Sequence, residues 1–172
     1  MAEERPGAVT MRGNPVTLIG PEIKVGDKAP KFTALKALGS PITLDDLKDK
    51  IKVFNVVVSV DTPVCDAQCR RFNEEASKLP GDVEIYTVSM DLPFAQSRYC
   101  GAAGIDKVKN LSDYRDASFG EAYGVLIKEH RLLTRAIFVV DKNNTVQHAE
   151  YVKEVTEHPN YDAALAAVKK LT

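Results

Sequence analysis

Cys65, Cys69 and Cys100 are the side chains of this sequence best suited to covalent chemistry, and Cys65 has the most telling surroundings. It lies in Ser59-Val60-Asp61-Thr62-Pro63-Val64-Cys65-Asp66-Ala67-Gln68-Cys69-Arg70-Arg71-Phe72-Asn73, directly after an apolar run and a Thr-Pro break. Val53 to Val58 reads as a buried strand, β-branched and nearly continuous in apolar residues. Pro63 suits the first turn of a helix beginning there, since its missing N–H would be unpaired anyway. A thiol in that first turn meets unpaired backbone N–H donors and the positive end of the helix dipole, both of which favour thiolate over thiol. The thiolate is the nucleophile, so this placement makes a reactive cysteine.

Magnitude decides what else the site needs. A free cysteine with pKa about 8.5 is about 3% thiolate at neutral pH, and reaching about 90% takes about 3.4 kcal/mol of differential stabilisation. A helix terminus supplies about 0.3–1 kcal/mol, at most about 2. Asp61 and Asp66 flank the thiol and oppose its charge, so a nearby cation must add to the helix end. The candidates are Arg70 and Arg71 on the same helix, or an arginine from elsewhere in the chain.

The elements that must position this cysteine follow from patterning. Val9 to Leu18 alternates about Gly13-Asn14-Pro15, which predicts an N-terminal β-hairpin. A Gly/Pro-marked loop over 20–30 leads to a strand near Phe32-Thr33-Ala34-Leu35. Ser40 to Leu44 is a short extended segment, and Asp45-Asp46-Leu47 starts a brief helix or turn. Strand 52–58, helix 64–78, strand 83–89 and helix 93–103 alternate, followed by an extended 108–111 and a short helix over 116–122. Strands over 134–140 and 145–151 are joined by the turn Asp141-Lys142-Asn143-Asn144, and Tyr161 to Leu171 forms a final amphipathic helix. This is the element order of a thioredoxin-like α/β domain: a central mixed sheet flanked by helices, preceded by a β-hairpin.

Composition bounds the partners. A chain of 172 residues can bury a core without disulfide or metal staples and reads as a single domain over 1–172. Lys and Arg number 23 against 24 Asp and Glu, a net charge of −1, and no basic run or face recommends nucleic acid or an anionic membrane. No apolar stretch approaches the roughly 20 residues of a membrane span. The first six residues lack the pattern of a signal peptide, so the expected location is cytoplasmic. Three cysteines is an odd count, which favours redox or catalytic use in a reducing compartment over a static disulfide framework.

The stretch 59–73 resembles the peroxidatic motif of the peroxiredoxins, in which Thr and Pro precede the reactive Cys, and its form is similar to the bacterial thiol peroxidase branch. A second block, Ser89-Met90-Asp91-Leu92-Pro93-Phe94-Ala95-Gln96-Ser97-Arg98-Tyr99-Cys100-Gly101, resembles that branch's resolving-cysteine segment. Gly13-Asn14-Pro15, Val25 to Pro30, Tyr123-Gly124-Val125, Leu132 to Ala136 and Asn160-Tyr161 are similar to further family stretches in the same order, so the resemblance spans nearly the whole chain.

The resemblance implies that Cys65 is the peroxidatic cysteine, Cys100 the resolving cysteine, Thr62 the hydrogen-bonding threonine and Arg135 the arginine beside the thiolate. It implies reduction of hydrogen peroxide and alkyl hydroperoxides without a cofactor or metal, an intramolecular disulfide recycled by thioredoxin, and a homodimer. Pro63 takes no catalytic role, and Cys69 has no required counterpart.

Plainer readings stand beside these. An arginine at a strand start, as Arg135 is, is ordinarily a surface charge. Thr62 alone reads as an N-cap, and Arg70, Arg71, Glu74 and Glu75 read as a solvated helix face. Isolated cysteines are usually small buried hydrophobes, which is the expectation for Cys69. His130, His148 and His158 read as surface or loop residues. A thiol-disulfide oxidoreductase would want Cys-x-x-Cys, one residue shorter than the spacing here. A cysteine-based metal or redox sensor built on Cys65 and Cys69 lacks clear third and fourth ligands.

Overall fold

The computed structural model describes residues 2–172. In chain order the strands are β1 (Glu4–Met11), β2 (Asn14–Ile19), β3 (Thr33–Ala37), β4 (Ser40–Thr43), β5 (Ile51–Val56), β6 (Val83–Ser89), β7 (Lys109–Ser112), β8 (Leu126–Ile127), β9 (Leu132–Leu133), β10 (Ala136–Val140) and β11 (Val146–Tyr151). The helices are α1 (Pro63–Ala76), α2 (Pro93–Ala103), α3 (Ser118–Ala122) and α4 (Tyr161–Lys170), with one 3₁₀ turn at Leu44–Leu47.

The apolar run of β5 is suited only to the middle of a sheet covered on both faces, and all six of its residues are buried. It sits between parallel β6 and antiparallel β10 in a seven-stranded sheet of order β11-β10-β5-β6-β7-β3-β4. The two-residue pleat sorts its side chains. Ile51 and Val53 face the cluster that contains Phe72 of α1 and Leu165 and Val168 of α4. Phe54 and Val56 face an aromatic core with Phe119, Tyr123 and Phe138. In that core the rings of Phe119 and Tyr123 stack with centroids 4.2 Å apart, and most other pairs meet edge to face.

A smaller sheet of order β1-β2-β8-β9 carries the hairpin. The expected hairpin is present, but its turn is Arg12-Gly13, with φ of 51° and 81°, and Asn14 and Pro15 already belong to β2. Two successive positive φ values are what a two-residue turn needs to match strand twist. The short strands β8 and β9 fall in a stretch the sequence pattern left unassigned, since two-residue ladders carry no periodicity. At its base the hairpin exit packs closely on the α3–β8 connection. A Cβ added at Gly20 (φ 109°) would stand 2.0 Å from the Glu121 carbonyl oxygen, and one at Gly124 (φ 66°) 2.0 Å from that of Pro21. Only glycine permits that approach.

At its tip the hairpin is held by one side chain. The Glu154 carboxylate accepts from the Gly13 amide at 2.8 Å, the Arg12 amide at 3.3 Å, the Thr10 hydroxyl at 3.0 Å, and the amide and hydroxyl of Thr156 at 2.8 and 2.6 Å. These bonds, the Thr156 hydroxyl foremost, hold its carboxyl at about 2 against an ordinary 4.5. A depressed carboxyl contributes fully above its unfolded pKa and loses that contribution as pH falls through the folded one. The tip clamp should therefore be complete above about pH 4.5 and fail toward pH 2. Glu154→Gln should reproduce the failure at neutral pH: amide exchange at Gly13 should accelerate while amides of β5 and β6 keep their protection.

Candidate active site

The chain leaves β5, passes through 57–61 and enters α1 with Thr62 at the N-cap and Pro63 in the first turn. The first intrahelical bond runs from the Asp66 amide to the Thr62 carbonyl at 2.9 Å, so the amides of Val64 and Cys65 precede the helical ladder. Cys65 thus occupies the first turn, as its spacing implied, and it is fully buried with a free thiol.

The cation comes from the antiparallel neighbour. Ala136 pairs with Val56, so the residue before it stands where β5 ends and the chain turns toward α1. That residue is Arg135, only 2% exposed, and its Nη1 donates to Cys65 Sγ at 3.3 Å. The ordinary reading of a strand-end surface charge is therefore wrong here. Nη1 also donates to Gln68 Oε1 at 2.8 Å, and Nε to the Val155 carbonyl at 2.8 Å. Arg70 and Arg71, the local candidates, are engaged elsewhere. Arg70 pairs with Asp66 at 2.9 Å and reaches the Ala103 carbonyl, and Arg71 pairs with Glu75 and Asp162. Asp66 is bound by the Tyr99 hydroxyl and by Arg70, Tyr99 foremost, and both hold its carboxyl below the ordinary range.

Behind Arg135 runs a buried polar chain that sequence reasoning missed. Gln68, three residues after Cys65, donates through its amide to Asn55 Oδ1. Asn55 donates to Thr87 Oγ1 at 3.1 Å and to Cys69 Sγ at 3.8 Å. Asn55 and Thr87 are directly paired on β5 and β6. The available signal was a lone amide inside an otherwise apolar strand, on the pleat face shared with Ile51 and Val53.

The remaining site candidates are placed as follows. Thr62 is the N-cap, three residues before Cys65, but its hydroxyl donates to the Ser59 carbonyl at 3.3 Å and makes no cap bond. Cys100 lies half-buried on α2, held by a 2.7 Å contact from the Asn110 amide, and no disulfide joins it to Cys65. Cys69 is 2% exposed, as expected of a buried helix residue, and burial pushes its thiol up to about 12. His130 and His158 are exposed, whereas His148 departs from expectation, being half-buried on β11 with its Nε2 unpartnered. Among the described residues no three His, Cys, Asp or Glu side chains gather as a metal site would require.

A pocket of about 330 Å³ opens against Thr62, Pro63, Val64 and Arg135, the neighbours of the buried thiol, without Cys65 itself in its lining. Met11, Val58, Pro63, Val64 and Val155 give it apolar walls, and Thr62 and Arg135 bring polar groups to it.

A sequence profile of the Redoxin family matches residues 24–165. A thiol peroxidase of Bacillus subtilis is 60% identical over 163 residues, covering 95% of this chain and 97% of that protein. The chain belongs to the redoxin family, among the thiol peroxidases. The solved structure of a peroxiredoxin-like protein from Aquifex aeolicus superposes on this redoxin with a TM-score of 0.89 at 41% identity, covering 96% of this chain and 98% of that one. A thiol peroxidase from Chromobacterium violaceum shares the fold, with a TM-score of 0.83 at 21% identity over 94% of this chain and 95% of that one. Among the described residues no helix is long and apolar enough to cross a membrane.

Cys69 on α1 and Cys100 on α2 should differ sharply toward thiolate-selective reagents. With its thiol raised to about 12, Cys69 should resist iodoacetamide in the native protein at pH 8 while Cys100 is alkylated. It should react only once denaturant opens the core. Peptide mass spectrometry of the time course checks this order.

Proposed function

We propose that this redoxin is a peroxidase that uses Cys65 as its peroxidatic thiol and Cys100 as its resolving thiol. The observation that carries the reading is a guanidinium, that of Arg135, which lies 3.3 Å from a sulfur in the first turn of a helix and also lines an apolar pocket. The Cys65 thiolate attacks the terminal oxygen of a hydroperoxide. The O–O bond breaks, Cys65 becomes a sulfenic acid, and the departing alkoxide or hydroxide takes a proton to leave as alcohol or water. Arg135 and the free amides at the start of α1 are aimed where that negative charge develops. Thr62 joins them by turning its hydroxyl away from the Ser59 carbonyl. The pocket admits hydrogen peroxide, and its apolar walls suit the alkyl group of an organic hydroperoxide.

The Cys100 thiol then condenses with the sulfenic acid, forming the disulfide and releasing water. A dithiol protein restores both thiols by exchange, and thioredoxin is the reductant we assign. No cofactor or metal enters the cycle. The chain acts as one domain over 1–172, in the cytoplasm, where three free thiols persist. It works as a homodimer. Leu92 and Phe94, 48% and 63% exposed around the start of α2, offer apolar surface for a second copy.

The test is a peroxidase assay coupled to thioredoxin and thioredoxin reductase. Cys65→Ser should abolish turnover, and retention of more than a few percent of the rate would refute the nucleophile. Arg135→Ala should lower the second-order rate with peroxide about 100-fold, the scale on which one charge-stabilising donor acts. Turnover should survive Cys69→Ser and collapse in Cys100→Ser. Peptide mapping after stoichiometric peroxide should find Cys65 joined to Cys100, whereas a dominant Cys65–Cys69 bond would overturn the choice of resolving cysteine.

A further inference from the structure

α1 and α2 touch through the Tyr99–Asp66 and Arg70–Ala103 bonds, and a further carboxylate joins the segment before Cys65 to the turn that leads into the helix of Cys100. Asp91 stands in the turn between β6 and α2. Its Oδ1 accepts from the Ser59 hydroxyl at 2.8 Å, and its Oδ2 accepts from the Val60 amide at 2.9 Å and the Ser89 hydroxyl at 2.7 Å. Ser59 in turn organises the approach to α1. Its hydroxyl oxygen accepts from the Asp61 amide at 3.1 Å, and its carbonyl from the Thr62 hydroxyl. On the other side, Ser89 Oγ accepts from the Gln96 side-chain amide at 3.0 Å, and Gln96, buried on α2, also donates to the Leu111 carbonyl at 3.0 Å. A continuous run of hydrogen bonds therefore passes from the residues before Cys65, through Asp91, into the helix of Cys100.

We propose that Asp91 is a positioning residue that holds the two cysteine segments in their separated, reduced arrangement and thereby sets how fast the Cys65 sulfenic acid is resolved. The proposal rests on the assignment of Cys65 and Cys100 above. An S–S bond of about 2.05 Å cannot form between a buried first-turn residue of one regular helix and a residue well inside another without local opening. Opening the start of α1 breaks the bonds from Ser59 and Val60 to Asp91. On the α2 side the Ser112 hydroxyl donates to the Asp91 carbonyl and the Gln96 amide to the Leu111 carbonyl, while the N-cap, Leu92, gives no side-chain cap and the buried Gln96 Oε1 has no partner.

The two chemical steps respond differently to the clasp. Peroxide attack uses the closed arrangement, which stays the majority even when opening becomes tenfold easier, so its rate barely moves. Disulfide formation uses the minor open state, so its rate scales with that state's population. A second peroxide competes for the same sulfenic acid: Cys65–SOH and ROOH give the sulfinic acid and ROH.

Asp91→Asn places an amide donor against donors that now meet a carboxylate. It should speed disulfide formation about tenfold, the worth of one hydrogen bond to a charged group. Oxidation of Cys65 should slow by less than about twofold. The peroxide concentration that over-oxidises half the protein should rise by the same factor of about ten. Ser59→Ala removes one of the bonds and leaves the carboxylate in place, so it should show a smaller shift in the same direction. Quenched-flow mass spectrometry resolves thiol, sulfenic, disulfide and sulfinic forms and reads both steps. Disulfide formation unchanged or slower in both variants overturns the proposal, as does equal slowing of both steps, the mark of general loosening. Disulfide mapping of the unaltered protein comes first: a chain that forms no Cys65–Cys100 bond overturns the parent assignment and this proposal with it.

Discussion

A buried guanidinium is the constraint around which the site is built. Arginine cannot shed its proton to escape a low-dielectric setting, so its charge must be met by what surrounds it. Arg135 has a carbonyl on Nε and, on Nη1, an amide oxygen and the sulfur of Cys65. Among the described residues no carboxylate pairs with it, which leaves the sulfur as the one contact able to carry the opposite charge. The contact that satisfies the buried guanidinium is thus the one that sets it against the sulfur, so one interaction positions both groups. Both partners owe their positions to backbone geometry, one to the β5–β10 register and the other to the first turn of α1.

Of the two carboxylates that flank the thiol in sequence, Asp66 is dealt with locally. Asp66 is bound by Arg70 and Tyr99, so the two arginines of α1 neutralise acidic neighbours and leave the sulfur to Arg135. This division explains why charge counting along the helix could not identify the cation. The contributor is 70 residues away and arrives through sheet pairing.

Long, strongly patterned elements were legible in the sequence. The boundaries of β6 and α2 agree with the expected 83–89 and 93–103, because Ser89 and Pro93 punctuate them. What escaped was of two kinds. Two-residue ladders such as β8 and β9 have no period to read, and the hairpin turn shifted to Arg12-Gly13 because an arginine at positive φ is not a turn signal. The polar chain Gln68–Asn55–Thr87 escaped for a different reason. Each residue is unremarkable alone, and only the pairing of β5 with β6 beneath α1 turns three scattered side chains into a scaffold for the guanidinium. His148 is half-buried because its strand, β11, pairs with β10, His148 opposite Val139.

The loop after β11 has a consequence for how such a protein can change over generations or be engineered. Adjacent residues there serve separate ends: the side chain of Glu154 grips the hairpin tip, and the backbone carbonyl of Val155 orients Arg135. Most surface loops absorb insertions at little cost, since closure entropy grows slowly with length. This one cannot. A residue inserted between 154 and 155 would put the carboxylate and the carbonyl out of phase, releasing the hairpin tip or the guanidinium, whichever lost register. Its length is therefore fixed as firmly as that of a buried strand, and a reporter peptide, a cleavage site or a graft belongs elsewhere on the surface.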